Sequence, residues 1–395
     1  MSLLPVEEAM KLCLALGTPL PGEVVPLRRA AGRVLLDPAV ARRDQPPFDA
    51  SAMDGYAVAG DPPPGTRLVV IGEAGAGHAF VGVVGAGQAV RILTGAPVPA
   101  GADRVIIQEN TRRDGDTIEI TAPGDSTNIR KLGQDFRSGD SVTPRRLRPV
   151  DLALLATMNV AEVRVARRPV VAILATGDEL VMPGEIPRPD QIVASNGFAL
   201  AAMVEAEGAE ARVLPIARDT EASLESAFAL AEGADLILTI GGASVGDHDL
   251  VGPVARRLGM QAAFWRIALR PGKPLMAGRL NGAALIGLPG NPVSSVVCTM
   301  LFVLPLLRAM QGLPDPEPRP LLAELAEDTG PTGPRTHYMR ARLLPPGAGG
   351  LPRIAPWPSQ DSALLRLLSD SDALLIRPRD DIARKAGEKV EYLPL

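Results

Sequence analysis

Three strand-like runs in the second half of the chain, DLILTI, FWRIAL and AALIGL, each break into residues able to handle an anion. The breaks read GGASVGDHD at 241–249, RPGKP at 270–274 and GLPGNP at 287–292. In an open α/β sheet, ligands settle beyond the carboxyl ends of the strands, and glycines such as Gly241 and Gly242 let backbone N–H groups approach an oxyanion closely. Pro271 and Gly272 make a tight turn that aims Arg270 and Lys273 the same way. Pro289, Gly290, Asn291 and Pro292 open a helix whose N–H groups and positive dipole end suit a phosphate, although the same residues also read as a plain strand-to-helix turn capped by Asn291.

Carboxylates follow the strands as well. Asp178 and Glu179 come after PVVAILA, Asp219 after ARVLPIA, and Asp247 and Asp249 after DLILTI. Parallel strands present their carboxyl ends on one edge, so these acids are expected to gather there. Like charges in one cleft repel unless a cation joins them, and an all-oxygen set suits Mg²⁺ held partly by substrate phosphates. A solvated acidic rim explains the same residues equally well. The run Gly242-Ala243-Ser244-Val245-Gly246 fits the nucleophile elbow of a hydrolase, but an elbow needs a helix at once and Asp247, His248 and Asp249 come instead. Ser244 is therefore read as a hydrogen-bond donor, and His248 as a ring that faces the cleft or bonds a loop carbonyl.

The elements that would carry these residues alternate. From Arg167 onward, strand patterns (PVVAILA, ARVLPIA, DLILTI) alternate with helical ones (SNGFALAAMVEAEG, TEASLESAFALAEG), which implies a parallel, doubly wound sheet. Upstream lie short β-branched runs, LVVIG, QAVRILTG, DRVIIQE and DTIEIT, divided by Gly, Pro and an Asp114-Gly115 turn. Helical spacing at Val6, Ala9, Met10 and Cys13 and again at 149–159 flanks them. After the Pro-rich break at 312–320, HYMRARLLP and DALLIRP read as strands. The expected architecture is a multidomain α/β protein. It has a helical stalk at 1–45 plus 137–167, an inserted β-rich domain at 46–136, a doubly wound α/β domain at 168–312 and a C-terminal β-barrel-like domain at 320–395.

Composition narrows the function. The 395 residues carry 41 Lys plus Arg against 45 Asp plus Glu, a formal charge of -4, so no broad positive field exists to steer nucleic acid. Three histidines and two cysteines leave little material for a zinc or iron–sulfur site, and Cys13 and Cys298 sit in apolar, helix-like stretches that suit buried thiols. Acids at Glu7 and Glu8 replace the bases of a signal peptide, and Pro305 and Arg308 interrupt the most apolar run, 296–310. A cytoplasmic enzyme without membrane attachment is expected.

Taken together, the motifs PPFDASAMDGYAV (46–58), ILTGAPVPAGADRVIIQE (92–109), NIRKLGQD (128–135), ATGDEL (175–180), SNGFAL (195–200), GGASVGDHD (241–249), FWRIALRPGKP (264–274) and GLPGNPVSS (287–295) resemble the molybdopterin molybdenumtransferase family, which includes MoeA and the C-terminal domain of gephyrin. They run in that family's order across about two-thirds of the chain. The resemblance implies the last step of molybdenum cofactor synthesis, in which adenylated molybdopterin and molybdate are substrates, AMP leaves and Mg²⁺ assists. It also implies a MogA-like central domain and an elongated homodimer whose inserted β module meets the other subunit. Molybdopterin adenylyltransferase and molybdoenzyme apoproteins are the further partners it points to. By position, Asp54, Thr94, Asp135, Glu179, Asp219 and Asp249 would be catalytic, with Glu179, Asp219 and Asp249 holding the metal. Gly241, Gly242, Ser244, Arg270, Lys273 and Pro289 to Pro292 would bind substrate. Arg270 stands where the family commonly has Lys, and DSALLRLL lacks the usual Ser pair, leaving Ser362. The alternatives are the related adenylyltransferase, which would need neither β insertion nor C-terminal domain, and a gephyrin-like scaffold that binds a partner peptide.

Overall fold

The computed structural model describes residues 3–242, 250–347 and 349–395. They form two compact units: residues 24–31 with 35–165, and a larger one built from the remainder. Helix α1 (Val6–Leu14) buries Val6, Ala9, Met10 and Cys13 against the apolar helix at 292–310 and the strand Gln261–Trp265. It therefore belongs to the α/β core, not to a stalk shared with 137–167, because its single apolar face finds a matching surface there.

The smaller unit holds a six-stranded sheet made of β1 (Gly55–Val58), β2 (Arg67–Ala74), β3 (Gln88–Ile92), β4 (Arg104–Ile107), β5 (Thr111–Asp114) and β6 (Thr117–Ile120), in spatial order β4-β1-β3-β2-β6-β5. Alternate residues of β1 feed two cores: Tyr56 and Val58 join Leu68 and Ile118, while Ala57 joins Val90 and Val105. The β5–β6 hairpin closes with Asp114 opposite Thr117 and with Gly115 at φ 59°, the positive value that a tight two-residue loop requires. A separate apolar cluster packs helix α2 (Pro149–Thr157) against Leu35, Ala41, Phe136 and Val165.

In the larger unit a six-stranded sheet contains β7 (Val170–Ala175), β8 (Glu210–Val213), β9 (Leu236–Ile240), β10 (Gln261–Trp265), β11 (Met276–Leu280) and β12 (Ala283–Leu288) in spatial order β8-β7-β9-β12-β11-β10. It is mixed rather than wholly parallel. Strand β11, which carries the short run MAGRL, runs antiparallel to both β10 and β12, and the expected parallel pattern holds for β8, β7, β9 and β12. Only Asn281 and Gly282 separate β11 from β12, too short a link for a crossover helix, so the two must form a hairpin. Val171 and Ile173 face one side with helix α3 (Asn196–Ala206). Ala172 and Leu174 face the other with α4 (Glu221–Leu230) and α5 (Val251–Arg257).

Pro305 does not interrupt its helix as expected. The helix runs from Pro292 to Met310, with α6 (Pro292–Cys298) passing into a π-helical stretch, Thr299–Val303, that absorbs the missing N–H of Pro305. It is long and apolar enough to cross a membrane by length and composition, but Val297, Leu301, Phe302, Leu306 and Leu307 are fully buried in the core beneath the sheet. Strands β13 (Leu321–Leu325), β14 (Thr336–Leu344), β15 (Arg353–Pro356), β16 (Ala373–Arg377) and β17 (Lys389–Pro394) close into a barrel, β14-β15-β13-β17-β16-β14, around Leu325, Ile354 and Leu375. Closure leaves no unpaired edge among them.

Leu238 is fully buried at the centre of the α/β sheet and Ile186 is 94% exposed. Chemical denaturation of Leu238→Ala is expected to show a loss of about 2–5 kcal/mol, and Ile186→Ala a change within about 0.5 kcal/mol.

Candidate functional site

Strand β7 connects to β8 on one side, and β9 lies on the other, so the crossover direction reverses between β7 and β9. Such a reversal opens a crevice at the carboxyl ends of the two strands. A cavity of about 550 Å³ lies there, entered by Ala175 and Thr176 from β7 and by Ile240 and Gly241 from β9. Pro289, Gly290, Asn291 and Pro292 line it from the turn after β12, Pro274 from the turn after β10, and Glu179 from the turn after β7.

Residues of no evident chemistry complete the walls. Leu180 and Val181 pair with Ile192 and Val193 in a short parallel ribbon, and Leu180, Ile192 and Val193 give the cavity an apolar side. Their pairing joins segments twelve residues apart by backbone bonds, which side-chain patterning does not report. Ala363, from the barrel, lines the cavity as well.

The cavity floor is held by hydrogen bonds. Asn196 Nδ2 donates to the Gly290 carbonyl at 2.7 Å, which ties the start of α3 to the turn before α6. Asn291 is at the N-cap position, yet its side chain does not cap the helix; its Nδ2 donates to Ser362 Oγ at 2.9 Å, and the Val293 N–H donates to the Ser362 carbonyl. Ser295 Oγ donates a short bond to the Pro289 carbonyl. The lone Ser362 thus anchors the loop that carries Ala363 onto the turn Pro289–Pro292.

Glu179 folds back over Gly177, whose φ is 150°: a Cβ at Gly177 would lie 2.4 Å from Glu179 Oε2. Asp178 and Asp219 are neighbours, the Asp219 N–H pointing at Asp178 Oδ1 at 3.4 Å, and Arg218 donates to the Asp178 carbonyl. Partial burial raises the Asp219 pKa above the ordinary carboxylate value, and the charges of Asp178 and Glu179 raise it further. Three acids from two strand ends therefore converge. Among the described residues, however, no set of three His, Cys, Asp or Glu side chains is grouped closely enough to hold one metal ion. Ser244, Asp247, His248 and Asp249, with the hydrolase-like run 243–246, lie outside the described residues. Gly242, at φ 60°, is the last described residue before them.

Arg270 ends a short strand, Leu269–Arg270, that pairs in parallel with Thr336–His337 of β14, and Lys273 lies on the turn that follows; both are exposed and, among the described residues, have no carboxylate partner, although neither lines the cavity that Pro274 touches. Gly272 between them has φ 115°, and a Cβ there would meet Cys298 Sγ at 2.5 Å, so the buried thiol of α6 sets the height of the turn. Cys298 is a packing residue: burial pushes its thiol far above the ordinary value, as burial raises that of Cys13 to about 12.

The smaller unit brings Asp54 and Thr94 together. Thr94 donates both its backbone N–H, at 2.7 Å, and its hydroxyl, at 2.6 Å, to Asp54 Oδ1. These bonds favour the charged form and lower the Asp54 pKa, with the nearby Arg91 charge assisting. Asp135 lines a second cavity of about 610 Å³ with Gly95, the residue after Thr94. Asp54 and Thr94 stand forty residues apart in the chain, and only the β1–β3 pairing, Gly55 opposite Ile92, makes them partners.

Fold and site define a multidomain α/β protein with a ligand crevice at its topological switch point. Three family models match in order: the MoeA N-terminal region (domain I and II) at residues 4–159, a probable molybdopterin binding domain at 172–309 and the MoeA C-terminal region (domain IV) at 323–395. A molybdopterin molybdenumtransferase of Haemophilus influenzae is 40% identical over 76% of this chain and 76% of its own length. That of Nostoc sp. is 34% identical over 94% and 88%. The molybdopterin biosynthesis moeA protein of Pyrococcus horikoshii OT3 superposes with a TM-score of 0.83 at 30% identity, over the whole of both chains. This chain belongs to the molybdopterin molybdenumtransferase family.

Two titrations follow from the geometry. In Thr94→Val, carbon-detected NMR is expected to show Asp54 titrating at higher pH than in the parent, since the hydroxyl bond that favours the carboxylate is lost. In Asp178→Asn the Asp219 titration is expected to move to lower pH, since one of the like charges that raise it is removed.

Proposed function

We propose that the crevice binds the pterin of adenylated molybdopterin, and that the protein inserts molybdenum from molybdate into its dithiolene with release of AMP. The observation that carries this reading is the composition of the 550 Å³ cavity at the switch point. Leu180, Ile192, Val193, Pro289 and Pro292 give the cavity apolar lining for a flat heterocycle, and Thr176, Ser195 and backbone groups in the same lining offer hydrogen bonds to its edges.

Molybdate and a phosphoanhydride are both anionic, so bringing them together costs electrostatic energy. Arg270 and Lys273, exposed and without a carboxylate partner among the described residues, would offset it. Cleavage of a phosphoanhydride depends on positioning and charge stabilisation more than on a protein nucleophile. Glu179, Asp219 and Asp249 are proposed to hold Mg²⁺. Burial raises the Asp219 pKa most, and the charges of Asp178 and Glu179 raise it further; that second contribution fits such a role, because a bound dication relieves the repulsion. When bound, Mg²⁺ would neutralise charge on the phosphate oxygens. Asp54, held ionised by Thr94, is proposed as an orienting carboxylate together with Asp135. The active form is proposed to be a cytoplasmic homodimer that receives its substrate from an adenylyltransferase and passes its product to apoenzymes.

Purified protein supplied with adenylated molybdopterin, Mg²⁺ and molybdate is expected to release AMP as molybdenum is incorporated. Pyrophosphate formed from ATP instead would reject the reading. Asp54→Ala, Glu179→Ala and Asp249→Ala are each expected to slow insertion by about two orders of magnitude with unchanged thermal unfolding; unaltered rates would remove those residues from the site. Binding of Mn²⁺, a paramagnetic substitute for Mg²⁺, is expected to weaken as pH falls and Asp219 takes up its proton above the ordinary Asp range. In Asp178→Asn that loss should come at lower pH. Sedimentation should give twice the 41.3 kDa chain mass.

A further inference from the structure

Arg340 and Arg377 are the largest fully buried side chains among the described residues, and they are compensated differently. Arg377 is paired with Asp381, Nε to Oδ2 at 2.8 Å. Arg340, 1% exposed, has no carboxylate within ion-pair distance among the described residues. Its direction follows from the pleat of β14: Met339 and Ala341 pack into the barrel, so Arg340 points to the opposite side with Tyr338, which joins the core of the α/β sheet. There Arg340 Nη1 donates to the Leu364 carbonyl at 3.0 Å and Nη2 to the Ser359 carbonyl at 3.4 Å. A buried cation satisfied by backbone oxygens holds those oxygens in place, since losing either leaves a desolvated charged donor.

Ser359 and Leu364 bracket Ser362 and Ala363, the residues that reach the crevice. Gln360 fixes the same segment: its Oε1 accepts the Arg340 N–H at 2.9 Å, and its Nε2 donates to the Arg340 and Trp357 carbonyls at 3.0 and 2.8 Å. Residues 357–364 belong to no helix or strand, so these bonds set the course of the segment. At its far end the Ser362 carbonyl accepts the Val293 N–H at 3.2 Å. Val293 lies in the first turn of α6, where an N–H has no partner within the helix, and the Ser362 carbonyl supplies one. A continuous chain of hydrogen bonds and covalent backbone therefore runs from Arg340 to the turn Pro289–Pro292 that lines the cavity.

We infer that Arg340 is a positioning residue for the crevice: it seats the segment 359–364 so that Ser362 holds Asn291 and Val293 while Ala363 completes the wall. The inference rests on the crevice being the substrate site proposed above, but its first readout does not. Hydrogen exchange of the Val293 amide in the full chain reports the seating directly, because the Ser362 carbonyl is what protects that N–H. Arg340→Met is expected to speed Val293 exchange about tenfold, with the amides of Leu238 in the sheet and Leu375 in the barrel unchanged. Arg340→Lys keeps the charge but has no fork to span two carbonyls, and an intermediate rate is expected; should Arg340→Met fail to fold, the Lys variant decides the matter. In insertion assays, Arg340→Met is expected to raise KM for adenylated molybdopterin about tenfold with kcat nearly unchanged. Combined with Ser362→Ala, its effect on KM should be less than multiplicative, since both act through one link. Val293 exchange at the parent rate in the folded variants overturns the inference. So does acceleration of Leu238 and Leu375 by the same factor as Val293, or an unchanged KM beside faster Val293 exchange. Failure of molybdenum insertion in the parent, with the selective response at Val293 intact, would reject the proposed reaction and leave the seating of the segment by Arg340 standing.

Discussion

Everything at the crevice depends on one register. Val171–Ala175 pairs in parallel with Leu236–Ile240, and these with Ala284–Leu288, so the three strands end at one level and release Thr176, Gly241 and Pro289 side by side. The far ends of two of them are pinned by a charged clamp. Arg167 donates two bonds, at 2.9 and 2.8 Å, to Asp235, whose Oδ2 also accepts the Val170 N–H. A parallel pair has no hairpin to set its register, so such a clamp and the matching of buried faces must do it. A slip of one residue would turn Val171 and Ile173 out of one core and Ala172 and Leu174 out of the other.

Two electrostatic arrangements sit on these scaffolds, and they work in opposite directions. In the larger unit, partial burial and then the charges of Asp178 and Glu179 raise the Asp219 pKa, and a cation would relieve that repulsion. In the smaller unit, Asp54 is given two donors by Thr94 and stays charged without a cation. Arginine side chains that have no ion-pair partner among the described residues, at 270 and, beside Phe48, at 43 and 130, supply the opposite sign. The near-neutral total charge of the chain conceals this local segregation, as a binding site for anions requires no net positive molecule.

Much of the fold is legible in patterning. The strands β7, β9 and β12, helices α3 and α4, and the Asp114–Thr117 hairpin follow from continuous apolar runs, helical spacing and turn residues. Strand β11 is not legible that way, since Met-Ala-Gly-Arg-Leu has no strong β pattern and owes its state to two neighbours that pair with it. Helix α1 shows its apolar face but not the surface that face seeks. Pro305 reads as a stop and is one only where no π turn absorbs it.

Residue types and local order, by themselves, determined the chemistry available: acids, cations and Gly-Pro turns placed at strand ends, in an order shared with one enzyme family. That follows because backbone propensity and motif spacing act over a few residues. Only the tertiary structure decided which other groups meet: Asp54 with Thr94, Asn291 with Ser362, and the apolar ribbon 180–193 with the cavity it walls. Those encounters are set by strand register and core packing between segments up to 71 residues apart, which no local pattern encodes.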